Sequence, residues 1–348
     1  MTTKPRFEIT SLHIRGLRGL KSLDLPEDGM GWDNGFPPLC VIAGANGSGK
    51  TTLLRCITEA ARLILRVPES IPEDVMAKEC LIDFVLGDDS DEPPLGLRFV
   101  IGDGAYFEEN KTSHSFGYVF AAERYQKRGG IHAVPWETGY SPIAKLNVGP
   151  SPRVVFMPSD DRDLIVPDIE YKAPGTLQDD LGFVAAWKRL GHKQWGGSTL
   201  ELLFSARWAD LNAKEEGRTE DANNFDNYSR AFTDLTAGRK KLGWTPKGEL
   251  VVKLDDGTTH GLEHLSSGER QALLLLAELR RRWRPGSLVL IDELELHLHD
   301  AWQGKLLDIL TSMQKELGGQ VIVTTQSHSL FKMAKPGTRM ILGREGLR

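Results

Sequence analysis

The sequence predicts an α/β fold with a mostly parallel sheet at its core. Three apolar runs support this, because each is typical of a buried strand with polar residues directly after it. They are residues 39–43 (LCVIA) before GANGSGKT, residues 287–291 (SLVLI) before DE, and residues 320–323 (QVIV) before TTQSH. Open α/β sheets bind their ligands at the carboxyl ends of such strands, so these polar residues are the first candidates for a functional site.

The composition is that of an ordinary soluble globular protein. The 348 residues, 40% hydrophobic and 26% charged, suffice for one large domain or for a core with a second lobe. A formal charge of −5 argues against a protein that coats nucleic acid by bulk charge, although a local basic patch stays open. Cys40, Cys56 and Cys80 form no CxxC pair, so neither a disulfide framework nor a zinc site is indicated.

The same composition predicts a cytoplasmic protein without membrane contact. No run reaches the roughly 18 apolar residues of a membrane span, and no apolar signal core follows the first residues. The few, scattered cysteines fit a reducing compartment.

Residues 44–51 match the phosphate-binding pattern GxxxxGK[ST] without a mismatch, between a predicted strand and a predicted helix that ends before Pro68. The glycines let backbone N–H groups converge on phosphates at the positive end of the helix. We expect Lys50 to reach the β- and γ-phosphates of ATP and Thr51 to ligate Mg²⁺. The predicted nucleotide-binding residues of this loop are Gly44, Ala45, Asn46, Gly47, Ser48, Gly49, Lys50, Thr51 and Thr52.

The acidic pair Asp292 and Glu293 ends the second apolar run. Asp292 is expected to hold Mg²⁺ together with Thr51, and Glu293 to orient and deprotonate an attacking water. The polar tip of the third run is expected to sense the γ-phosphate.

Residues 265–271 (LSSGERQ) precede a predicted helix over residues 272–282. A Ser-Gly turn at a helix start presents N–H donors and a hydroxyl to an anion. Ser266 and Glu269 are also spaced for a capping box, which needs no ligand. The residues themselves leave both interpretations open.

Hydrophobic spacing predicts the remaining elements. Residues 7–25 read as two strands around a turn at 16–19, and no sustained heptad pattern predicts a long coiled coil. The other predictions are strands at 80–86, 95–101 and 153–158, further β-structure at 118–125, a loop or insertion at 127–152, and helices at 198–214 and 227–241.

Together these motifs resemble those of ABC-type ATPases of the RecF/SMC/OLD-like group. Residues 265–271 resemble the ABC signature, with Ser266 and Gly268 at the places of its Ser and second Gly. Residues 292–299 (DELELHLH) resemble the group's DEPExHLH segment, and residues 9–19 (ITSLHIRGLRG) resemble its first strand and FRG-like turn. The resemblance implies a P-loop ATPase head with a mostly parallel core sheet, an antiparallel β-subdomain and a helical signature lobe.

That resemblance also implies an organisation. Residues 1–348 would form a single ABC-type ATPase domain, with the nucleotide-binding core in residues 1–68 and 285–348. Residues 78–165 would be a β-rich part with an insertion, and residues 175–284 the helical lobe that carries the signature. The signature residues expected to contact nucleotide are Ser266, Ser267, Gly268 and Glu269.

The chain departs from the group's pattern at several places. Ser267 stands for the first signature Gly, while Leu294 and Asp300 stand for two prolines. Gln326 replaces the switch histidine, and His328 lies two residues on, where alternation in an extended segment would point it the same way. Glutamine can donate to a phosphate oxygen or hold a water, so we expect binding to survive and hydrolysis to be altered. The predicted catalytic residues are Glu293, Lys50, Gln326 and His328.

In the group that this chain resembles, two heads meet head to tail around ATP, so a homodimer through ATP is expected. A head without a coiled coil is expected to gate a separate effector protein, a nuclease or toxin, in anti-phage defence. The alternatives are a RecF-like DNA repair or recombination ATPase that binds nucleic acid directly, an ATP-dependent scaffold with little turnover, and, more remotely, a transporter subunit.

Three further clusters have both a functional and a structural interpretation. His297 and His299 could ligate zinc or lie at the dimer seam. The basic runs 239–241 and 280–284 could contact a nucleic-acid backbone, with Trp283 stacking, or complement a helix dipole or solvent. The acidic run 160–163 could bind a metal or form a solvated turn.

Overall fold

The computed structural model describes residues 6–26, 35–64, 71–72, 78–87, 95–101, 118–125, 130–135, 154–159, 184–186, 194–218 and 223–343. Within these ranges the strands are β1 (Arg6–Leu17), β2 (Leu20–Leu25), β3 (Leu39–Ala43), β4 (Ile71–Pro72), β5 (Glu79–Gly87), β6 (Leu95–Ile101), β7 (Tyr118–Tyr125), β8 (Gly130–Pro135), β9 (Val154–Met157), β10 (Val184–Ala186), β11 (Lys240–Trp244), β12 (Leu250–Leu254), β13 (Thr259–His260), β14 (Leu288–Ile291), β15 (Gln320–Thr325) and β16 (Arg339–Ile341). The α-helices are α1 (Lys50–Ile64), α2 (Gln194–Glu215), α3 (Asn224–Leu235), α4 (Ser267–Arg282), α5 (Asp300–Leu317) and α6 (His328–Met333). Short 3₁₀ turns lie at Leu262–His264 and Pro336–Thr338.

A six-stranded parallel sheet, in the order β10-β9-β14-β15-β3-β16, forms the core. Both of its faces are buried, which is why its strands read as continuous apolar runs. On one face Ile42 and Leu290 pack in the same cluster as Leu53 of α1. On the other face Val289 packs in a cluster with Leu306 of α5. The predicted α/β class with a mostly parallel core sheet is confirmed.

Strand order brings the polar tips together. Strand β15 lies between β14 and β3, with Ile291 paired with Val323 and Ala43 paired with Thr325. The three strands are parallel, so their carboxyl ends lie at one edge of the sheet. The residues that follow β3, β14 and β15 therefore converge there.

A second, seven-stranded sheet has the order β2-β1-β5-β6-β7-β8-β4 and is antiparallel except between β6 and β7. The predicted hairpin over residues 7–25 and the strands at 80–86, 95–101 and 118–125 are confirmed. The prediction of a loop at 127–152 is wrong for Gly130–Pro135, because these residues complete their hydrogen bonds by pairing with β7. The rest of that stretch lies outside the described residues.

The buried amide of Gln320 joins the first strand to the core sheet. Its Oε1 accepts a hydrogen bond from Ile9 N at 3.0 Å, and its Nε2 donates to Ile9 O at 3.2 Å and to Phe36 O at 3.3 Å. The side chain is 2% exposed, so these bonds satisfy groups that water cannot reach. These hydrogen bonds therefore attach strand β1 of the antiparallel sheet to strand β15 of the core sheet.

The lobe over residues 194–282 contains helices and a third sheet. Helices α2 and α3 confirm two predicted helices, but α3 ends at Leu235 instead of residue 241. Ala237 and Gly238 adopt positive φ angles of 57° and 82°, and the chain then enters the antiparallel sheet β11-β12-β13. Hydrophobic spacing along the sequence did not predict this sheet. Its inner residues, such as Leu242 and Val252, pack in one cluster with Phe232 of α3.

The predicted apolar stripe of α2 is buried only in part. Leu200 and Leu203 are 4% and 0% exposed and belong to the lobe core. Trp208 and Leu211, in contrast, are 53% and 37% exposed. In the portion of the chain that the structure describes, no helix combines the length and apolar character that a membrane span needs.

Candidate nucleotide-binding site

The predicted phosphate loop connects β3 to α1. Gly47 and Gly49 have φ angles of 77° and 89°, which other residues rarely adopt. A Cβ on Gly47 would meet no atom within 4 Å, so this side of the loop is open to a ligand. Helix α1 begins at Lys50, and the peptide N–H groups of its first turn face the loop. The cradle fits a phosphate group.

Gly19, in the turn between β1 and β2, supports this loop from behind. Its φ is 85°, and a Cβ there would lie 2.8 Å from Gly47 O and 2.9 Å from Gly49 N. Any side chain at this position would push the phosphate loop out of place. In the sequence Gly19 belongs to the FRG-like turn, and the close approach supplies the physical reason for a glycine there.

Lys50 is 4% exposed and donates to Gly44 O at 2.8 Å and to Ala45 O at 2.9 Å. Its ammonium group therefore lies inside the predicted phosphate-binding loop. Burial lowers the pKa of Lys50, and the carboxylates of Glu293, Asp292 and Glu295 oppose that shift. The lysine is thus within electrostatic range of the acidic residues that follow β14.

Asp292 is the hub of the site. Its carboxylate is fully buried, and its Oδ2 accepts the hydroxyls of Thr51 at 2.7 Å and Ser159 at 2.8 Å. Its Oδ1 accepts the hydroxyl of Thr324 at 2.6 Å. Sequence reasoning paired Thr51 with Asp292 through a shared metal, but it assigned no role to Ser159 or Thr324. A carboxylate beside a threonine hydroxyl at a phosphate loop is an oxygen donor set that fits Mg²⁺.

Glu293 follows directly and has a φ of 46°, the left-handed region that costs a non-glycine residue about 1–2 kcal/mol. Its N–H donates to Thr324 Oγ1 at 2.9 Å, which helps to hold this conformation. Its Oε1 accepts a hydrogen bond from Gln326 Nε2. The candidate base is therefore in contact with the residue that replaces the switch histidine.

The switch segment does not continue as an extended chain. Strand β15 ends at Thr325, Ser327 caps α6 by accepting from Leu330 N at 3.2 Å, and His328 is the first residue of that helix. The expectation that alternation points His328 the same way as Gln326 is wrong, because the backbone turns into a helix between them. Gln326 N also donates to Glu295 Oε1, which fastens the segment to the chain after β14.

The signature residues form a second set of contacts. Ser266 is the N-cap of α4, and the capping box with Glu269 is complete: Glu269 N donates to Ser266 Oγ at 3.3 Å and Ser266 N to Glu269 Oε2 at 2.9 Å. Ser267 begins the helix. A Cβ on Gly268 would lie 2.5 Å from His297 O, so the start of α4 abuts the segment that follows Glu293.

The two histidines of that segment have structural environments. His299 caps α5, where its Nδ1 accepts from Ala301 N at 3.3 Å, and His297 has a positive φ of 59°. Across the described ranges no group of three or more His, Cys, Asp or Glu side chains could hold a metal ion. The zinc hypothesis receives no support there. The acidic run at 160–163 lies outside the described residues.

Two arginines of the basic run at the end of α4 pair with a carboxylate of the same chain. Arg282 Nε bonds to the fully buried Glu278 at 2.7 Å, and Arg281 lies 3.9 Å from the same carboxylate. Trp283 is 2% exposed and packs in the core cluster. The stacking role considered for Trp283 is wrong, because the indole is not at the surface.

Comparisons with known proteins show what the chain is similar to. A family model described as "AAA domain, putative AbiEii toxin, Type IV TA system" matches residues 210–332. The "Retron Ec83 probable ATPase" of Escherichia coli is 33% identical over 128 residues, 34% of this chain and 22% of that protein. The Septu protein PtuA of Bacillus thuringiensis is 28% identical over 108 residues, 27% of this chain and 26% of that protein. The chain thus matches only about a quarter of the length of these two relatives.

A solved structure of an SMC head, bound to the C-terminal winged-helix domain of ScpA, shares the fold. It aligns with a TM-score of 0.50 over 94% of this chain and 92% of its own, at 18% identity. The chain therefore has the α/β fold of an SMC head, in line with the resemblance of its motifs to those of the RecF/SMC group. Over part of its length, the sequence is similar to a probable retron ATPase and to a Septu protein.

Proposed function

We propose that this protein binds and hydrolyses ATP, dimerises head to tail around it, and gates a separate effector protein in anti-phage defence. The observation that carries the ATPase part is the linkage of Thr51, Asp292, Thr324 and Glu293 by hydrogen bonds between 2.6 and 2.9 Å. It joins the phosphate loop to the acidic pair through the Asp292 carboxylate and the backbone N–H of Glu293. The similarity to the retron and Septu proteins supports the defence role.

Each residue then has a defined task. The backbone N–H groups of residues 44–52 bind the phosphates, and Lys50 releases its two loop carbonyls to bind the β- and γ-phosphates. Thr51 and Asp292 are the residues that would hold Mg²⁺, which supplies charge neutralisation of the phosphates when bound. Ser159 and Thr324 orient the Asp292 carboxylate.

Glu293 is the proposed general base. Its carboxylate is directed by Gln326, so the two side chains together would place the attacking water in line with the γ-phosphate. The left-handed backbone of Glu293 is held by Thr324, so the base is positioned before substrate arrives. In the proposed dimer Ser266, Ser267, Gly268 and Glu269 of one head face the γ-phosphate bound by Lys50 of the other.

Binding would close the dimer and hydrolysis would open it, and an effector that recognises one of the two states would be gated accordingly. A second candidate function rests on Gln326. Because its amide already bonds to Glu293, release of that carboxylate for proton transfer is an added step. If the Gln326 amide rarely releases the Glu293 carboxylate, the protein would hydrolyse ATP slowly and act as an ATP-dependent scaffold.

The deciding experiment captures partners with Glu293→Gln as bait in its native cell, with ATP and Mg²⁺ present. The Lys50→Ala protein, prepared identically, is the matched control for nucleotide-dependent binding. Stoichiometric recovery of a nuclease- or toxin-like protein by Glu293→Gln alone would support effector gating. Recovery of DNA with recombination factors, and of no effector, would replace the defence role by DNA repair.

Steady-state turnover of the purified wild type separates the enzyme from the scaffold. Turnover that Glu293→Gln abolishes supports the ATPase. Turnover indistinguishable from that of Glu293→Gln, combined with ATP-dependent dimerisation, supports the scaffold.

A further inference from the structure

Glu269 is the most heavily engaged residue of the signature set. Its Oε2 accepts from Ser266 N at 2.9 Å and from the Ser266 hydroxyl at 3.1 Å. Its Oε1 lies 2.8 Å from the ammonium of Lys240, on strand β11 of the lobe. The two side chains are 10% and 21% exposed, so this ion pair is largely shielded from solvent. Both oxygens of the carboxylate thus have partners.

Lys240 is held in place by its own backbone. Thr236 Oγ1 donates to Lys240 O at 3.1 Å and accepts from Lys240 N at 3.3 Å. Lys240 also pairs with Leu254 in the β11–β12 register. The ammonium therefore reaches Glu269 from a fixed strand and not from a mobile loop. Its neighbour Lys241 is exposed on the other face of β11, opposite Lys253.

The position of Glu269 creates an electrostatic problem for phosphate recognition. A helix N-terminus attracts an anion through its free N–H groups and its dipole. A carboxylate at the third helical position offsets this attraction and repels a triphosphate. The ion pair with Lys240 cancels the charge of Glu269 while Glu269 keeps its capping bonds. Burial raises the pKa of Glu269, but the hydrogen bonds from Lys240 and Ser266 outweigh burial and hold this pKa below its ordinary value.

We propose that Lys240 is a positioning residue of the trans nucleotide site: by pairing with Glu269, it makes the start of α4 receptive to the triphosphate bound by a second copy of this chain. The inference rests on the proposed head-to-tail dimer. Sequence analysis included Lys240 in a basic run with a solvent or nucleic-acid role. The 2.8 Å contact assigns it to the signature instead.

The test measures the dimer dissociation constant by sedimentation in ATP and Mg²⁺, with all variants in the Glu293→Gln background. Lys240→Met keeps the aliphatic stem and removes the charge. We expect it to raise the dissociation constant about 10- to 100-fold, the worth of a charge-assisted hydrogen bond. Lys241→Met is the matched control on the same strand and is expected to dimerise like the parent.

A double variant distinguishes charge compensation from a merely structural role. Glu269→Gln removes the charge that Lys240 neutralises, so adding Lys240→Met to it is expected to change dimerisation by less than about threefold. Lys240→Arg is expected to restore dimerisation, since it supplies the same charge. Binding of ATP by dilute monomer is expected to be equal in all variants, because in the proposed dimer the start of α4 faces the nucleotide of the other head.

The outcomes are distinct. The inference fails, while the proposed dimer stands, if Lys240→Met dimerises as tightly as Lys241→Met. It also fails if the double variant with Glu269→Gln dimerises as weakly as the single variant Lys240→Met. If the Glu293→Gln parent itself does not dimerise with ATP, the head-to-tail proposal fails and this inference fails with it. Unequal ATP binding by the monomers would also overturn it, because the effect would then lie in folding or in the chain's own site.

Discussion

The hydroxyl of Thr51 donates to Oδ2 of Asp292 at 2.7 Å and so joins the first turn of α1 to the end of β14, across 241 residues of sequence. The same carboxylate oxygen accepts from Ser159, and the other accepts from Thr324. Three separate segments therefore meet on one buried carboxylate. Such a hub predicts that small changes around it act on both stability and catalysis.

Replacing Lys50 with Ala is expected to weaken ATP binding roughly 100-fold, because a charge-assisted contact to the phosphates is lost. Equilibrium binding of a fluorescent ATP analogue measures the effect. The control is Lys241→Ala, which removes an exposed lysine outside the site and is expected to bind normally. Retained affinity in Lys50→Ala would remove the phosphate-loop assignment.

Thr324→Val keeps the shape of the side chain and removes its hydroxyl. Asp292 Oδ1 then loses a donor and the Glu293 N–H loses its acceptor, so we expect a loss of about 1–3 kcal/mol in the free energy of unfolding. We also expect a lower kcat, since Glu293 loses the bond that holds its left-handed backbone. Urea unfolding and steady-state turnover are the measurements.

Thr311→Val is the control for this change, because the Thr311 hydroxyl donates to Leu307 O at 2.8 Å, one turn earlier in α5. It is expected to leave turnover unchanged. Equal turnover in Thr324→Val and Thr311→Val would show that Thr324 is not needed to position Glu293.

Glu293→Gln is expected to bind ATP, to hydrolyse it about 10²- to 10⁴-fold more slowly, and to accumulate as a dimer. The amide keeps the size of the side chain but cannot accept the proton of water. Phosphate release and sedimentation in ATP and Mg²⁺ report the two effects. A fully active variant would exclude Glu293 as the base.

Gln326→Ala and His328→Ala together identify the switch residue. Gln326 bonds to Glu293, whereas His328 is exposed at the start of α6. We therefore expect Gln326→Ala to lower kcat roughly tenfold, because Glu293 would lose part of its positioning as the base. We expect His328→Ala to leave kcat near the wild-type value. The reverse pattern would transfer the role to His328.

Ser266→Arg is expected to leave ATP binding by the monomer intact and to block ATP-dependent dimerisation, since the bulky side chain would fill the proposed trans contact. Thr258→Arg, at an exposed turn of the same lobe, controls for the added charge. Sedimentation with and without ATP is the readout. Normal dimerisation of Ser266→Arg would refute the contact between Ser266 and the second head.

Much of the site was predictable because its motifs are local. The phosphate loop is a strand, a glycine-rich turn and a helix in direct succession, and each part is encoded by its own residues. The buried strands β14 and β15 follow in the same way from apolar runs with polar ends. The end of α3 was misjudged for the opposite reason: the helical spacing runs on to residue 241, but positive φ angles at Ala237 and Gly238 turn the chain into β11.

The sequence by itself determined the α/β class, the phosphate loop and the acidic pair, because each depends on residues within one turn or strand. It offered the capping box of Ser266 and Glu269 as one of two interpretations. Only the tertiary structure decided which distant side chains complete them. Sheet order and register brought Thr324 and Ser159 to Asp292, Gly19 against the phosphate loop, and Lys240 to Glu269. Contacts between segments so far apart in the chain depend on packing, and no periodicity within a single segment encodes them.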